Sequence, residues 1–108
     1  MTAYNLVVMS NPVAGKEDEY NEWYTNVHIP DVVRCDGFTG ARRYKIGPGF
    51  EGPHKYMAIY EMETNDPAAV IAGMSAKAGT PELSISPALD VGGVTMTLFE
   101  AITPRIPR

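Results

Sequence analysis

The sequence predicts an α+β domain: a four-stranded antiparallel sheet with two helices on one face, in the order β-α-β-β-α-β. Three observations predict it. Four short segments read as strands, by alternation or by continuous apolar character. One long segment repeats aromatic residues at helical spacing. Another opens on Asp-Pro and closes on Gly, as helices do. The chain has 108 residues, which fits a single domain spanning 1–108.

The elements follow in order. Asn5 to Met9 is a short run rich in β-branched residues, suited to a buried strand. Ser10-Asn11-Pro12 stops it and Gly15 closes a loop. Lys16 to Asp31 reads as the first helix. Glu17, Asp18 and Glu19 fall in its first turn, where the helix dipole favours negative charge. Tyr20, Trp23, Tyr24 and Val27 form its apolar stripe, with His28 at the border. Pro30 lacks a backbone donor, so the helix is expected to end or kink there.

Phe38 to Ile46 is the second strand, with Phe38, Arg42 and Tyr44 on one face and Ala41 and Arg43 on the other. Gly47-Pro48-Gly49 and Gly52-Pro53 mark a hairpin loop. Lys55 to Met62 is the third strand, with Tyr56, Ala58, Tyr60 and Met62 on one face. Asp66 caps a second helix, Pro67 begins it and Gly79 ends it. Thr80 to Asp90, with two prolines, reads as an extended loop, and Val94 to Ile102 as the last strand. This order is the split βαβ, or ferredoxin-like, arrangement.

Composition narrows the function classes. The net charge is −4, and the basic residues are scattered apart from Arg42-Arg43, which argues against nucleic acid. Cys35 is the only cysteine, so no intramolecular disulfide forms. It reads as a small packing residue in a reducing compartment. No signal-peptide pattern opens the chain, and no apolar run spans a bilayer, so a cytoplasmic protein without membrane contact is expected. The two histidines fall at opposite sheet edges, roughly 15–20 Å apart by helix rise, so no metal site is expected within one subunit.

The strands carry apolar residues on both faces, Leu6 and Val8 on one side, Val7 and Met9 on the other. Two helices cover only one face. The bare face is expected to pack against a second copy of the chain, giving a homodimer.

His28 is the leading candidate for chemistry, because modest changes of surroundings move an imidazole across physiological pH. In this topology it is expected over the starts of the first two strands, near Tyr4, Leu6, Phe38, Tyr60 and Met62. Asp31, three residues on, would orient its ring if the helix continues. Tyr24, four residues back, would hydrogen-bond or exchange a proton. Trp23, Tyr24 and Tyr60 would supply an aromatic wall for a ring-shaped substrate, with Phe38 and Tyr44 as further substrate-binding residues. Arg43 or Arg42 would hold a carboxylate or phosphate. The bland readings are a satisfied histidine, a core tryptophan and solvated arginines.

The stretch Tyr20-Asn-Glu-Trp-Tyr-Thr-Asn-Val-His28-Ile-Pro-Asp31, with Asp36-Gly-Phe38, Arg43-Tyr44 and the closing Phe99-Glu-Ala-Ile-Thr-Pro-Arg105, resembles the EthD-like proteins of the dimeric α+β barrel superfamily. The resemblance implies a homodimer whose sheets pack into a barrel. It also implies kinship with cofactor-independent monooxygenases, muconolactone-type isomerases, polyketide cyclases and haem-degrading enzymes. The family's His-x-Pro histidine falls on His28. No second histidine matches, which departs from a two-histidine isomerase.

The function expected is therefore an enzyme without metal or organic cofactor. His28 would be general base toward a small cyclic or aromatic carbonyl compound, in an isomerase-, lyase- or cyclase-like proton transfer. The alternatives are a non-catalytic small-molecule binder, a cofactor-independent monooxygenase, and a haem protein with His28 as axial ligand.

Overall fold

In the computed structural model, which describes residues 1–108, four strands form one antiparallel sheet in the order β2-β3-β1-β4. They are β1 (Thr2–Ser10), β2 (Phe38–Lys45), β3 (Tyr56–Thr64) and β4 (Thr95–Glu100). The apolar run of the first strand puts it inside the sheet, between β3 and β4. Leu6 lies opposite Tyr60 and Leu98, and Val8 opposite Ala58 and Met96. Period-two alternation then sorts the side chains. Leu6, Ser10, Tyr56, Ala58, Tyr60 and Met62 are buried beneath the helices. Val7, Met9, Met57 and Ile59 sit half-buried on the other face, away from the helices.

β2 departs from simple alternation. A register shift between Phe38 and Gly40 inserts an extra residue, and such a bulge exchanges the faces of everything beyond it. Phe38 therefore shares the helix side with Ala41 and Arg43, whose partners are Met62, Tyr60 and Ala58. Arg42 and Tyr44 face the bare side, opposite Ile59 and Met57.

The first helix does not end at Pro30. It runs as α1 (Glu17–Trp23), widens into a π-helical turn (Tyr24–His28), and resumes as α2 (Ile29–Val33). Pro30 occupies the first turn of α2. Placed directly after the wider turn, it sits where a missing donor is tolerated. The wide turn also changes the helical phase. Tyr20, Trp23 and Tyr24 stay buried, while Val27, expected on the stripe, is 40% exposed.

α3 (Pro67–Lys77) starts as the sequence indicates: the Asp66 Oδ1 accepts from the Ala69 N–H at 3.1 Å. The segment after it has little regular structure but is not a bare loop. It buries Leu83 and Ala88, bridges Pro12 through Leu89, and ends in a single 3₁₀ turn at Val91–Gly93. Val13 N–H donates to the Ala88 carbonyl at 2.7 Å and Asp90 N–H to the Asn11 carbonyl at 3.1 Å. These bonds hold it over the ends of β1 and β4.

Candidate active site

The widened turn, the sheet and the 83–94 segment enclose a cavity of about 320 Å³. β1 contributes Val8 and Ser10, β3 Tyr60, and β4 Met96. Tyr24, His28 and Val32 descend from the first helical run, and Met74 and Ser75 from α3. Leu83, Ile85, Leu89 and Val91 close the remaining side. The lining is almost wholly apolar, with Ser10, His28 and Ser75 as its polar residues. An apolar pocket with few convergent polar groups suits a small organic ligand.

His28 lies between two aromatic rings. Trp23 stacks on it at 4.6 Å with 30° between planes, and Tyr24 meets it edge-on at 4.9 Å. Its Nδ1 is buried without a hydrogen-bond partner, leaving Nε2 as the nitrogen able to meet a ligand. Burial holds the imidazole neutral and pushes its pKa down to about 4; Arg43 adds to this and the Asp31 charge opposes it. The Trp23 Nε1 is likewise buried and unpartnered.

Asp31 does not orient the ring. Its buried carboxylate pairs with Arg34 three residues on, while the Cys35 thiol donates to its backbone carbonyl at 3.6 Å. His28 lines the same cavity as Val8, Ser10 and Tyr60. Of the neighbours anticipated, Tyr60 lines the cavity. Phe38 packs on the Tyr60 ring at 6.1 Å, behind the wall. Tyr44 lies on the opposite sheet face because of the bulge, so it is not brought to this cavity.

Arg43 is on the correct face but is engaged inside the protein. Its guanidinium sits 4.5 Å from the Tyr24 ring centre, 5.4 Å from that of Tyr56 and 5.5 Å from that of Tyr20. It donates to Asn21 Oδ1 and Thr25 Oγ1, each at 2.9 Å, and to the Asn21 carbonyl at 3.4 Å. It thereby staples the helix to β2 across the start of the π turn. Arg42 is exposed on the bare sheet face.

Two features escaped the sequence reading. Ser10, 1% exposed, bonds the Tyr20 hydroxyl at 2.6 Å. Its signal was present: it is a polar residue in phase with Leu6 and Val8. The cover from Leu83 to Val94 carries no local pattern that announces it. His54 lies outside the site, with its Nε2 2.7 Å from the Gly93 carbonyl. Asn11 ties the same loops, donating to the Pro53 carbonyl and accepting from Lys55 N–H, both at 2.8 Å. No cluster of three or more His, Cys, Asp or Glu side chains is placed to hold a metal ion. No helix is long and apolar enough to cross a membrane.

No protein-family model matches the chain, and no curated protein matches it by sequence. Solved structures do share its fold. An EthD-like protein from Ralstonia eutropha JMP134 superposes with a TM-score of 0.67 at 16% identity, covering 97% of this chain and 96% of that one. SnoaB from Streptomyces nogalater, a cofactor-independent oxygenase, gives 0.65 at 15% identity, over 96% and 97%. MhuD from Mycobacterium tuberculosis, a haem degrader with two haems bound in its active site, gives 0.65 at 18% identity, over 94% and 98%. These likenesses establish a ferredoxin-like α+β fold that EthD family proteins share.

Proposed function

We propose that the chain is a small-molecule enzyme of EthD-like type that works without a metal or organic cofactor. His28 is the proton acceptor and a cyclic or aromatic carbonyl compound the substrate. The observation that carries this is a desolvated, neutral imidazole set in the wall of an apolar cavity. In the step proposed, a proton leaves an acidic C–H or O–H of the ligand for Nε2, and the electron pair stays on the ligand as an enolate or phenolate. Isomerisation, elimination or ring closure follows from that anion. Tyr24 and Tyr60 contact the ligand. Trp23 fixes the imidazole plane from behind, and Arg43 positions the turn that carries His28. Asp31 and Tyr44 have no part in this scheme.

A cofactor-independent oxygenase is the second option. It is favoured by the fold shared with SnoaB, and dioxygen would then be the co-reactant that takes an electron from the same anion. Haem fits the residues poorly: no cationic side chain lines the cavity to meet propionates, and the His28 ring is flanked by Trp23 and Tyr24. The chain is further proposed to act as a cytoplasmic homodimer through its bare sheet face.

The test is turnover of the compound that co-purifies with the protein. His28→Ala is expected to lower kcat by 10²- to 10⁴-fold, the usual worth of a placed base. The acid limb of kcat/KM should fall near pH 4 rather than near the ordinary imidazole value. Full turnover by His28→Ala would overturn the assignment. Tight binding with no chemical change would make the chain a binder.

A further inference from the structure

We infer that the ligand of this cavity is an uncharged ring compound with a hydrocarbon substituent, which leaves the cavity through a mouth framed by Ile85, Val91 and Met96. The inference rests on the cavity as the ligand site proposed above and names the class of compound it takes. Two features carry it: the cavity runs from a closed end to an open one, and no charged side chain stands along it.

Tyr24, Val32, Tyr60 and Leu83, between 1% and 3% exposed, form the closed end. His28 belongs to that end, with its ring 4.9 Å from that of Tyr24. Ile85, Val91 and Met96 line the same cavity, yet they are 37%, 66% and 49% exposed. A side chain that borders both cavity and solvent marks the opening. Each of the three comes from a different place: the extended segment after α3, the 3₁₀ turn and β4. Other exposed apolar side chains, such as Phe50 and Ile106, stand on the hairpin loop and the tail. These three converge on one opening, as apolar residues around a ligand entrance do.

No Lys, Arg, Asp or Glu lines the cavity. The cations on the surrounding elements are engaged elsewhere: Arg43 with Asn21 and Thr25, and Lys77 with Glu82 at 3.4 Å. A carboxylate or phosphate would therefore shed its water and meet no counter-charge. A compound rich in hydroxyls would leave them unpaired against an apolar wall. A ring with one oxygen function beside His28, and hydrocarbon elsewhere, meets neither cost. Size places the substituent. At about 320 Å³ the cavity lies at the small end of ligand pockets, which span roughly 300–1,000 Å³. A ring fills the closed end, and a chain on its far side has only the gap between Ile85, Val91 and Met96 to occupy.

The experiment compares 4-methyl-, 4-propyl- and 4-pentylacetophenone with the matching 4-alkylbenzoates by calorimetry at neutral pH. Each ketone is expected to bind at least about a hundredfold tighter than the carboxylate of the same chain length, because an unpaired anion is excluded from an apolar wall. Lengthening the chain should raise ketone affinity by up to about fourfold per methylene buried. Val91→Asp should weaken the pentyl ketone about tenfold and the methyl ketone less than about threefold, since only the longer chain reaches the rim. Met96→Gln, of similar volume, carries this arm if Val91→Asp fails to fold by circular dichroism. Equal affinity for ketone and carboxylate overturns the uncharged class, and equal weakening of both ketones at the rim overturns the mouth. Exchange of the acetyl protons for deuterium, followed by NMR, reports the His28 step separately. Absent exchange with the binding order intact overturns the proton acceptor and leaves this inference standing; exchange with the order inverted does the reverse. Failure of the wild-type protein to bind any ketone overturns both.

Discussion

His28 is neutral in the folded chain over a range where the unfolded chain protonates it. The unfolded imidazole takes up its proton near pH 6.5, the folded one near pH 4, because burial disfavours the cation. Between those values the unfolded state binds more protons, so stability falls as the pH drops through that window and is intact above it. The full effect is roughly 3 kcal/mol. Urea unfolding at pH 4 and pH 7 should therefore show wild type losing roughly 3 kcal/mol more than His28→Gln. Equal losses would mean that the imidazole is not desolvated. At this scale the sequence was readable where residue type decides. A histidine beside an aromatic stripe and a tyrosine one turn back could be picked out. Asp31, Arg43 and Tyr44 could not be placed, because their roles hang on geometry beyond their neighbours: Arg34 captures the carboxylate, Asn21 and Thr25 capture the guanidinium, and a bulge turns the tyrosine away.

Among the elements, the first helical run shows what periodicity hides. A π turn of five residues differs from an α turn by too little to disturb an apolar pattern, yet Val27 ends up exposed while His28 lines the cavity. The run is held from outside by Arg43 at the start of the turn and by Gly37 after α2. Gly37 has φ of +96°, and a Cβ there would meet the Val70 side chain at 2.5 Å. Gly37→Ala is thus expected to cost about 2–4 kcal/mol, from backbone strain plus overpacking. Pairing it with Val70→Ala should recover the overpacking part and leave the strain. Chemical denaturation of the four members of this cycle measures both. Identical stabilities for Gly37→Ala and wild type would show that the helix end is free to shift. The segment after α3 resisted prediction for another reason. Its prolines do exclude regular structure, but its burial is dictated by the cavity it closes.

For the molecule as a whole, topology was the most readable property, since strand and helix signals alternate in an order that few folds accommodate. The unpaired sheet face follows from the same signals and makes a prediction of its own. Val7, Met9, Met57, Ile59 and Tyr44 lie on it, with Phe99 56% exposed. Arg42 and Glu61 stand on the same face. In a two-fold dimer each patch would meet its own copy, so apolar residues would face apolar residues. Exposure of such a patch in a monomer is disfavoured. Light scattering at micromolar concentration is expected to give twice the 11.8 kDa chain mass. Ile59 lies between Val7 and Arg42 in the register, so Ile59→Asp should place a carboxylate at the centre of the interface and reduce the mass to that of one chain. Ala76→Lys, on the exposed side of α3, should leave it doubled. A single-chain mass for the wild type would exclude the dimer, and a doubled mass for Ile59→Asp would move the interface to another face.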